Sequence, residues 1–260
     1  MDESLRLLAE SLRATMATAS GRELDAALVD LGWREMLDEI PETAIPLVFG
    51  LLGETGAQAP IVNDVVLRCA GRAPGGTVAL PYAGGSWVRW ERTDQTGQAL
   101  DGLPIRRVPA GEPVPLAAGR RALGWWLLGT SRAMLNLARQ HALDRVQFGR
   151  PIASFQAIRH RLAETLVAIE GAEATLQSAQ ETEDLACLLA KAAAGHAALT
   201  AARHCQQVLA GIGFTAEHAL HHHVKRALVL DGLLGNTREL TREAGKTLRD
   251  NGFAPRLVQL

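Results

Sequence analysis

Arg145-Val146-Gln147-Phe148-Gly149-Arg150-Pro151-Ile152, followed by Phe155-Gln156, is the stretch on which the fold turns. It reads as a helix end, a glycine stop and a proline restart. Glycine takes the left-handed conformation that closes a helix, and proline is at home in a helix's first turn. Two helices therefore meet here. The same residues set an arginine, an aromatic ring and an amide close together at a helix terminus. Such a group suits an anionic or planar ligand, because a guanidinium can grip a phosphate through two parallel hydrogen bonds.

Outward from this junction the pattern is helical in both directions. Residues 116–143 form one long apolar helix. After Pro151, Phe155, Ile158, Leu162, Leu166, Ile169, Ala172 and Leu176 recur every three or four residues, which predicts a second. A third covers 184–209, stopped by Gly211 and Gly213. A fourth covers 216–233, stopped by Gly235, and a fifth covers 237–249. Helices of this length on short connections predict an antiparallel bundle over 116–260. The third is rich in alanine and can pack closely against its neighbours.

Upstream the texture changes. Across 65–115, Gly, Pro and Thr punctuate short runs at 65–67, 77–80, 86–90 and 105–108. Pro74-Gly75-Gly76, Gly84-Gly85 and Asp101-Gly102 are turn signals between them. This predicts a short β middle region of four or five strands, too small for a large barrel. Residues 1–64 read as a reduced N-terminal helical domain. Leu5, Leu8, Leu12 and Met16 lie at helical spacing, a second short helix covers 22–31, Pro41 breaks the pattern, and 45–52 is an apolar helix ending near Gly53 and Gly56. The fold class expected is mainly α.

Composition agrees with that class. Aromatics are only 4% of the 260 residues, while Ala and Leu dominate the second half. Lys and Arg number 27 against 28 Asp and Glu, so no basic surplus exists to neutralise a phosphate backbone, and nucleic acid is excluded as a general partner. No uninterrupted apolar run approaches the ~18 residues of a membrane span. The acidic start, Met1-Asp2-Glu3, lacks the basic and apolar segments of a secretory leader, so a cytoplasmic location is expected. Cys69, Cys187 and Cys205 form no CxxC pair and read as free thiols of a reducing compartment. His218 and His222 fall at i, i+4 on the fourth helix, but no carboxylate or Cys partner is apparent, so no metal site is expected.

The stretch from Ala138-Arg139 to Gln156, continuing through His160-Arg161-Leu162-Ala163, resembles the C-terminal helical domain of the acyl-CoA dehydrogenase family. A second segment, Gln206-Gln207-Val208-Leu209-Ala210-Gly211-Ile212-Gly213-Phe214, resembles that family's Gln-x-x-Gly-Gly-x-Gly-[Phe/Tyr] turn. The two occur in the right order at about the right distance. The resemblance is good over 116–240, loose over 22–68, and poor over 70–115.

The resemblance implies FAD as cofactor, shared with a partner subunit. Arg145, Phe148 and Gln156 would reach the FAD of a neighbouring subunit, and Gln207 and Gly211 would meet its diphosphate side. Ala210 replaces the first Gly of the turn, which is tolerable if that residue keeps φ below zero. The family's chemistry also needs a carboxylate to remove the α-proton of an acyl-CoA while hydride leaves the β-carbon. The two family positions for it fall here at Leu234 and at about Gly119, and neither is acidic. Asp231 and Glu239 miss the first by about a helical turn. Ala83-Gly84-Gly85-Ser86-Trp87 is at best a faint echo of the family's flavin-binding segment and reads first as a glycine turn leading into a strand. Some family members, notably in actinobacterial sterol-side-chain degradation, work as heteromers. The expectation is thus a non-catalytic subunit completing the FAD site of a longer acyl-CoA dehydrogenase-like subunit. The alternatives are a self-sufficient enzyme with an unrecognised base, or a purely structural assembly subunit.

Overall fold

The computed structural model describes residues 3–93 and 103–254. Five helices come first: α1 (Glu3–Thr18), α2 (Gly21–Asp30), α3 (Trp33–Glu39), α4 (Pro41–Thr55) and α5 (Val62–Cys69). Of the α1 stripe, Leu12 and Met16 are buried, with Leu8 packed beside them. Pro41 opens α4 rather than breaking a helix, as a residue without an amide hydrogen can at a first turn. Gly53 lies inside α4, and Gly56 ends it with φ +73°.

Three strands follow: β1 (Ala79–Tyr82), β2 (Ser86–Trp90) and β3 (Ile105–Val108), in an antiparallel sheet of that order. Leu80 pairs with Val88, and Trp90 with Ile105; all four side chains face the core. The expected strand at 65–67 is instead the middle of α5. Its β-branched residues are fully buried, and burial overrides their strand propensity. The expected four or five strands are three among the described residues. The turn at Asp101-Gly102 lies outside those residues.

The rest is the bundle: α6 (Ala117–Asp144), α7 (Gln156–Ser178), α8 (Asp184–Leu209), α9 (Leu220–Gly232) and α10 (Thr237–Asn251). Helix α8 lies at its centre, against α6, α7, α9 and α10, with its alanines inside. The stretch Asp184–Phe214, though broken by polar residues, is long and apolar enough to cross a membrane; it is the bundle's core helix and mostly buried. Helix α9 begins four residues later than expected, because His218 Nδ1 accepts a hydrogen bond from the Leu220 amide at 3.1 Å and closes the first turn. His218 and His222 therefore do not share one helix.

One apolar core runs from Leu12 in α1 through the sheet to Leu234 after α9. Its centre is a chain of aromatic rings: Trp33 meets Phe49 at 5.9 Å, Phe49 meets Trp126 at 5.7 Å, and Trp126 stacks on Trp90 at 5.5 Å. Helices α4 and α6 cross closely, since a β-carbon on Gly53 would lie 2.3 Å from the Trp126 carbonyl oxygen. A buried polar group ties sheet to helices. Asp64 accepts from Trp33 Nε1 at 3.1 Å and from the Gly75 amide at 2.7 Å, and it pairs with Arg92, which also holds Asp25. In a dry interior such a carboxylate needs all these donors.

Candidate functional site

At one end of the bundle α6 stops at Asp144, and the Arg145 amide still donates to the His141 carbonyl at 2.9 Å. The chain then folds into a two-residue hairpin, β4 (Val146–Gln147) against β5 (Arg150–Pro151), with Phe148 and Gly149 at its tip. Phe148 takes φ +53° and leaves its ring 90% exposed. The ring meets only the edge of Phe155 among aromatic neighbours, and Arg150 stacks over Phe155 at 4.5 Å. The expected glycine stop and proline restart are thus a hairpin and a 3-10 turn (Ile152–Ser154) before α7.

The facing wall is the end of α8. Ala210 there has φ +53° and ψ −135°, so the expectation of a negative φ is overturned. The chain has to leave α8 sharply to start the 3-10 turn Ala210–Phe214, and this backbone angle suits glycine rather than alanine. Between the walls lies a cleft of about 830 Å³. Arg145, Phe148, Gln207 and Gly211 all line it, so four residues from two distant segments come together; Gln156 is exposed at the start of α7 and lies outside the lining. Sequence reading missed His141, which also lines the cleft; its position in the last helical turn before Arg145 was the available signal.

The donor set fits a dinucleotide diphosphate with a planar group. It offers a guanidinium, an amide, an exposed aromatic face, and backbone at Gly211 so open that an added β-carbon would meet nothing within 4 Å. Val146, Phe148, Ile212 and Phe214 are exposed around the rim, an apolar surface of the kind that meets another chain.

A second place needs description, the α9–α10 connection. Leu234 is fully buried with φ +58°; its amide donates to Pro81 O at 2.8 Å, and its carbonyl accepts from Arg120 Nε at 3.3 Å. A β-carbon on Gly119 would lie 2.9 Å from Leu234 Cδ1 and 2.8 Å from Val66 Cγ2. The two positions marked for a carboxylate are therefore neighbours, and apolar side chains fill the space between them. The nearest acids are occupied. Asp231 Oδ1 accepts from the Thr237 amide at 3.1 Å and hydroxyl at 2.6 Å. Glu239 forms a capping box with Asn236 and accepts from the Gly84 amide at 2.8 Å, so the glycine turn before β2 docks on α10.

Among the described residues no three His, Cys, Asp or Glu side chains gather as metal ligands. The three thiols are free, and burial pushes Cys187 and Cys205 up to about 12, where they stay protonated and inert.

Comparison with known proteins agrees with this layout. The acyl-CoA dehydrogenase C-terminal domain matches residues 114–246. The chain is 31% identical over 275 residues to the acyl-CoA dehydrogenase IpdE2 of Mycobacterium tuberculosis, covering 93% of this chain and 85% of IpdE2. It is 35% identical over 199 residues to acyl-CoA dehydrogenase FadE34 of the same organism, covering 67% of this chain but only 28% of FadE34. The fold superposes on a chain of the ChsE4–ChsE5 complex from M. tuberculosis with a TM-score of 0.71 and 20% identity, over 98% of this chain and 99% of that chain. Since the domain match takes in the bundle from α6 into α10 and the likeness to IpdE2 nearly the whole chain, the chain belongs to the acyl-CoA dehydrogenase family.

Proposed function

We propose that this chain is the non-catalytic subunit of a heteromeric, FAD-dependent acyl-CoA dehydrogenase, and that its bundle end completes the FAD site of a longer subunit. The observation that carries this reading is the contrast between its two sites. The cleft at the bundle end is open and furnished for a dinucleotide, whereas the base positions Leu234 and Gly119 are apolar and closed on each other. A dehydrogenation needs a carboxylate aligned on the α-carbon. Asp231 and Glu239 are both committed to capping α10, which disfavours a self-sufficient enzyme.

FAD, when bound, supplies the hydride acceptor. In this chain Arg145 would hold the diphosphate by charge-assisted hydrogen bonds, Gln207 and the backbone at Gly211 would complete its cradle, and Phe148 would cover the planar part against water. Gln156 would join from the rim in the assembled complex. The longer subunit would supply the base, the isoalloxazine pocket and the groove for an acyl-CoA thioester of lipid or sterol origin. The partnership is supported by the similarity to ChsE4–ChsE5, itself a complex of two chains. The assembly would be cytoplasmic.

The test is co-expression with a longer acyl-CoA dehydrogenase chain, followed by a flavin spectrum and turnover per bound flavin. A yellow, active complex whose flavin is lost on removing this chain supports the reading. A colourless complex would make the chain a purely structural assembly subunit, and a yellow, active homomer would make it a self-sufficient enzyme.

A further inference from the structure

His141 has no role in the scheme above, yet it stands in the last turn of α6, its carbonyl bonded by the amide of the capping residue Arg145, and both side chains line the cleft. Among the described residues they are the only ionisable side chains in that lining. The walls from α7 and from the end of α8 contribute Phe155, Ile158, Gln207 and backbone. Two helices, α6 and α8, end at the cleft with their C-termini, whose last carbonyls carry partial negative charge; only α7 turns an N-terminus toward it. A diphosphate entering between two such ends meets one fixed cation, Arg145. We propose that His141 is a second, proton-gated cation of this cleft, taking a proton from solvent as the diphosphate of a dinucleotide enters and returning it on release. This rests on the dinucleotide reading of the cleft.

The surroundings of His141 prepare it for that part. In the free chain burial disfavours its charged form first, then His218 from the turn before α9 and Arg145 at the end of its own helix; Asp144 alone favours charge. Together they pull the imidazole below its ordinary range, so it is neutral at pH 7 and adds no repulsion to Arg145. A diphosphate alongside reverses the balance, because a nearby anion favours the imidazolium. The linkage has a definite sign. Binding that raises a pKa is tightest below the free-chain value, weakens up to about tenfold per pH unit between the free and bound values, and is level above them.

The experiment is titration of the flavin-stripped complex of this chain with a longer acyl-CoA dehydrogenase chain, using FAD followed by flavin fluorescence, from about pH 5 to about pH 8.5, with protons counted by calorimetry in two buffers of different ionisation heat. ADP-ribose serves as a second probe that keeps the diester diphosphate, which does not titrate in this range, and lacks the flavin. The parent should weaken roughly three- to tenfold toward alkaline pH for both probes and take up a fraction of a proton near neutrality. His141→Gln should remove the slope and the uptake while matching the parent at the alkaline end. Arg145→Gln should weaken binding at every pH and keep the slope. If His141→Gln keeps the parent's slope while Arg145→Gln weakens binding, the proton-gated role is overturned and the dinucleotide cleft stands. If the parent binds neither probe, or Arg145→Gln binds as the parent does, the dinucleotide reading falls and the role of His141 with it.

Discussion

Lys191 Nζ donates to the Gly235 carbonyl at 2.7 Å and to the Asp231 carbonyl at 2.9 Å from a fully buried position on α8. Arg120 holds the carbonyl of Leu234 between them. The connection that carries the closed base position is thus pinned by two basic side chains at consecutive carbonyls. This offsets the strain of a leucine in the left-handed region, which costs roughly 1–2 kcal/mol. The turn is built to stay as it is.

Stability should therefore carry a signature of Lys191. Burial pushes its ammonium down to about 7, against the attraction of Asp231. Between that value and the ordinary lysine range the unfolded chain binds a proton that the folded chain lacks, so this group's contribution rises with pH, by up to about 1.4 kcal/mol per unit. Below pH 7 both states are charged and the burial penalty is complete. Lys191→Met should cost about 1–3 kcal/mol near pH 9 for two lost hydrogen bonds, with the deficit shrinking toward pH 6. Urea midpoints of parent and variant between pH 6 and pH 9 measure this. The buried thiols begin to weaken the fold near the top of this window, where their unfolded forms ionise, and they do so equally in parent and variant. Parallel curves would mean that Lys191 stays charged in the fold.

Ala210→Gly should stabilise the chain. The residue holds φ +53°, ψ −135°, a conformation that a β-carbon disfavours by about 1–3 kcal/mol, although glycine gives back part through its freer unfolded state. A net gain of about 1 kcal/mol would raise the melting temperature by roughly 2–4 °C. Ala210→Val should lower it by more. An unchanged melting temperature in both variants would mean that the end of α8 relaxes away from this geometry.

Much of the fold was legible because the bundle announces itself locally. The apolar period of α7 and the stop after α8 at 209 depend on neighbours a turn away, and both elements lie where the spacing put them. The stretch 65–67 was misread for the opposite reason. Three β-branched or apolar residues in a row look like a strand until residues 62–67 of α5 are seen buried on both faces, with Asn63 bound to the Trp90 carbonyl of β2 and Asp64 to the turn before β1. The meeting of Arg145 with Gln207 in one cleft could be expected only from the family resemblance, since no local pattern pairs positions 62 residues apart. Ala210 was misjudged because a backbone angle is set by where the next element must go, and the residue type states only its cost.

Phe148→Ala should separate the chain's own stability from its assembly. The ring is 90% exposed and touches little of its own subunit, so the isolated chain should change by no more than about 0.5 kcal/mol. In the complex with a longer subunit the same change should weaken flavin retention at least about tenfold, as loss of an aromatic anchor does at an interface. The pair of measurements is chemical denaturation of the chain alone and flavin release from the complex. Equal flavin release from parent and variant would remove Phe148 from the shared site.

The sharpest test lies at Leu234. Leu234→Ala opens a cavity beside Val66 and Gly119 and should cost about 2–5 kcal/mol, with turnover of the assembled enzyme per bound flavin unchanged. Leu234→Glu restores the residue type that the family uses, in a place where Arg120 lies close by. A carboxylate alone still abstracts no proton productively, because it needs an α-carbon on one side and a flavin on the other. Val66 and the backbone around Gly119 fill the volume that a thioester would need, and the three-stranded sheet offers little to hold an isoalloxazine ring. Turnover per flavin should therefore stay at the parent's level, with stability lowered by a charge held in an apolar turn. If Leu234→Glu instead doubled the active sites per complex, this half of the enzyme would contain a working acyl pocket. The loss of chemistry would then reside in one side chain, and the closure between Leu234 and Gly119 would have to open when substrate binds.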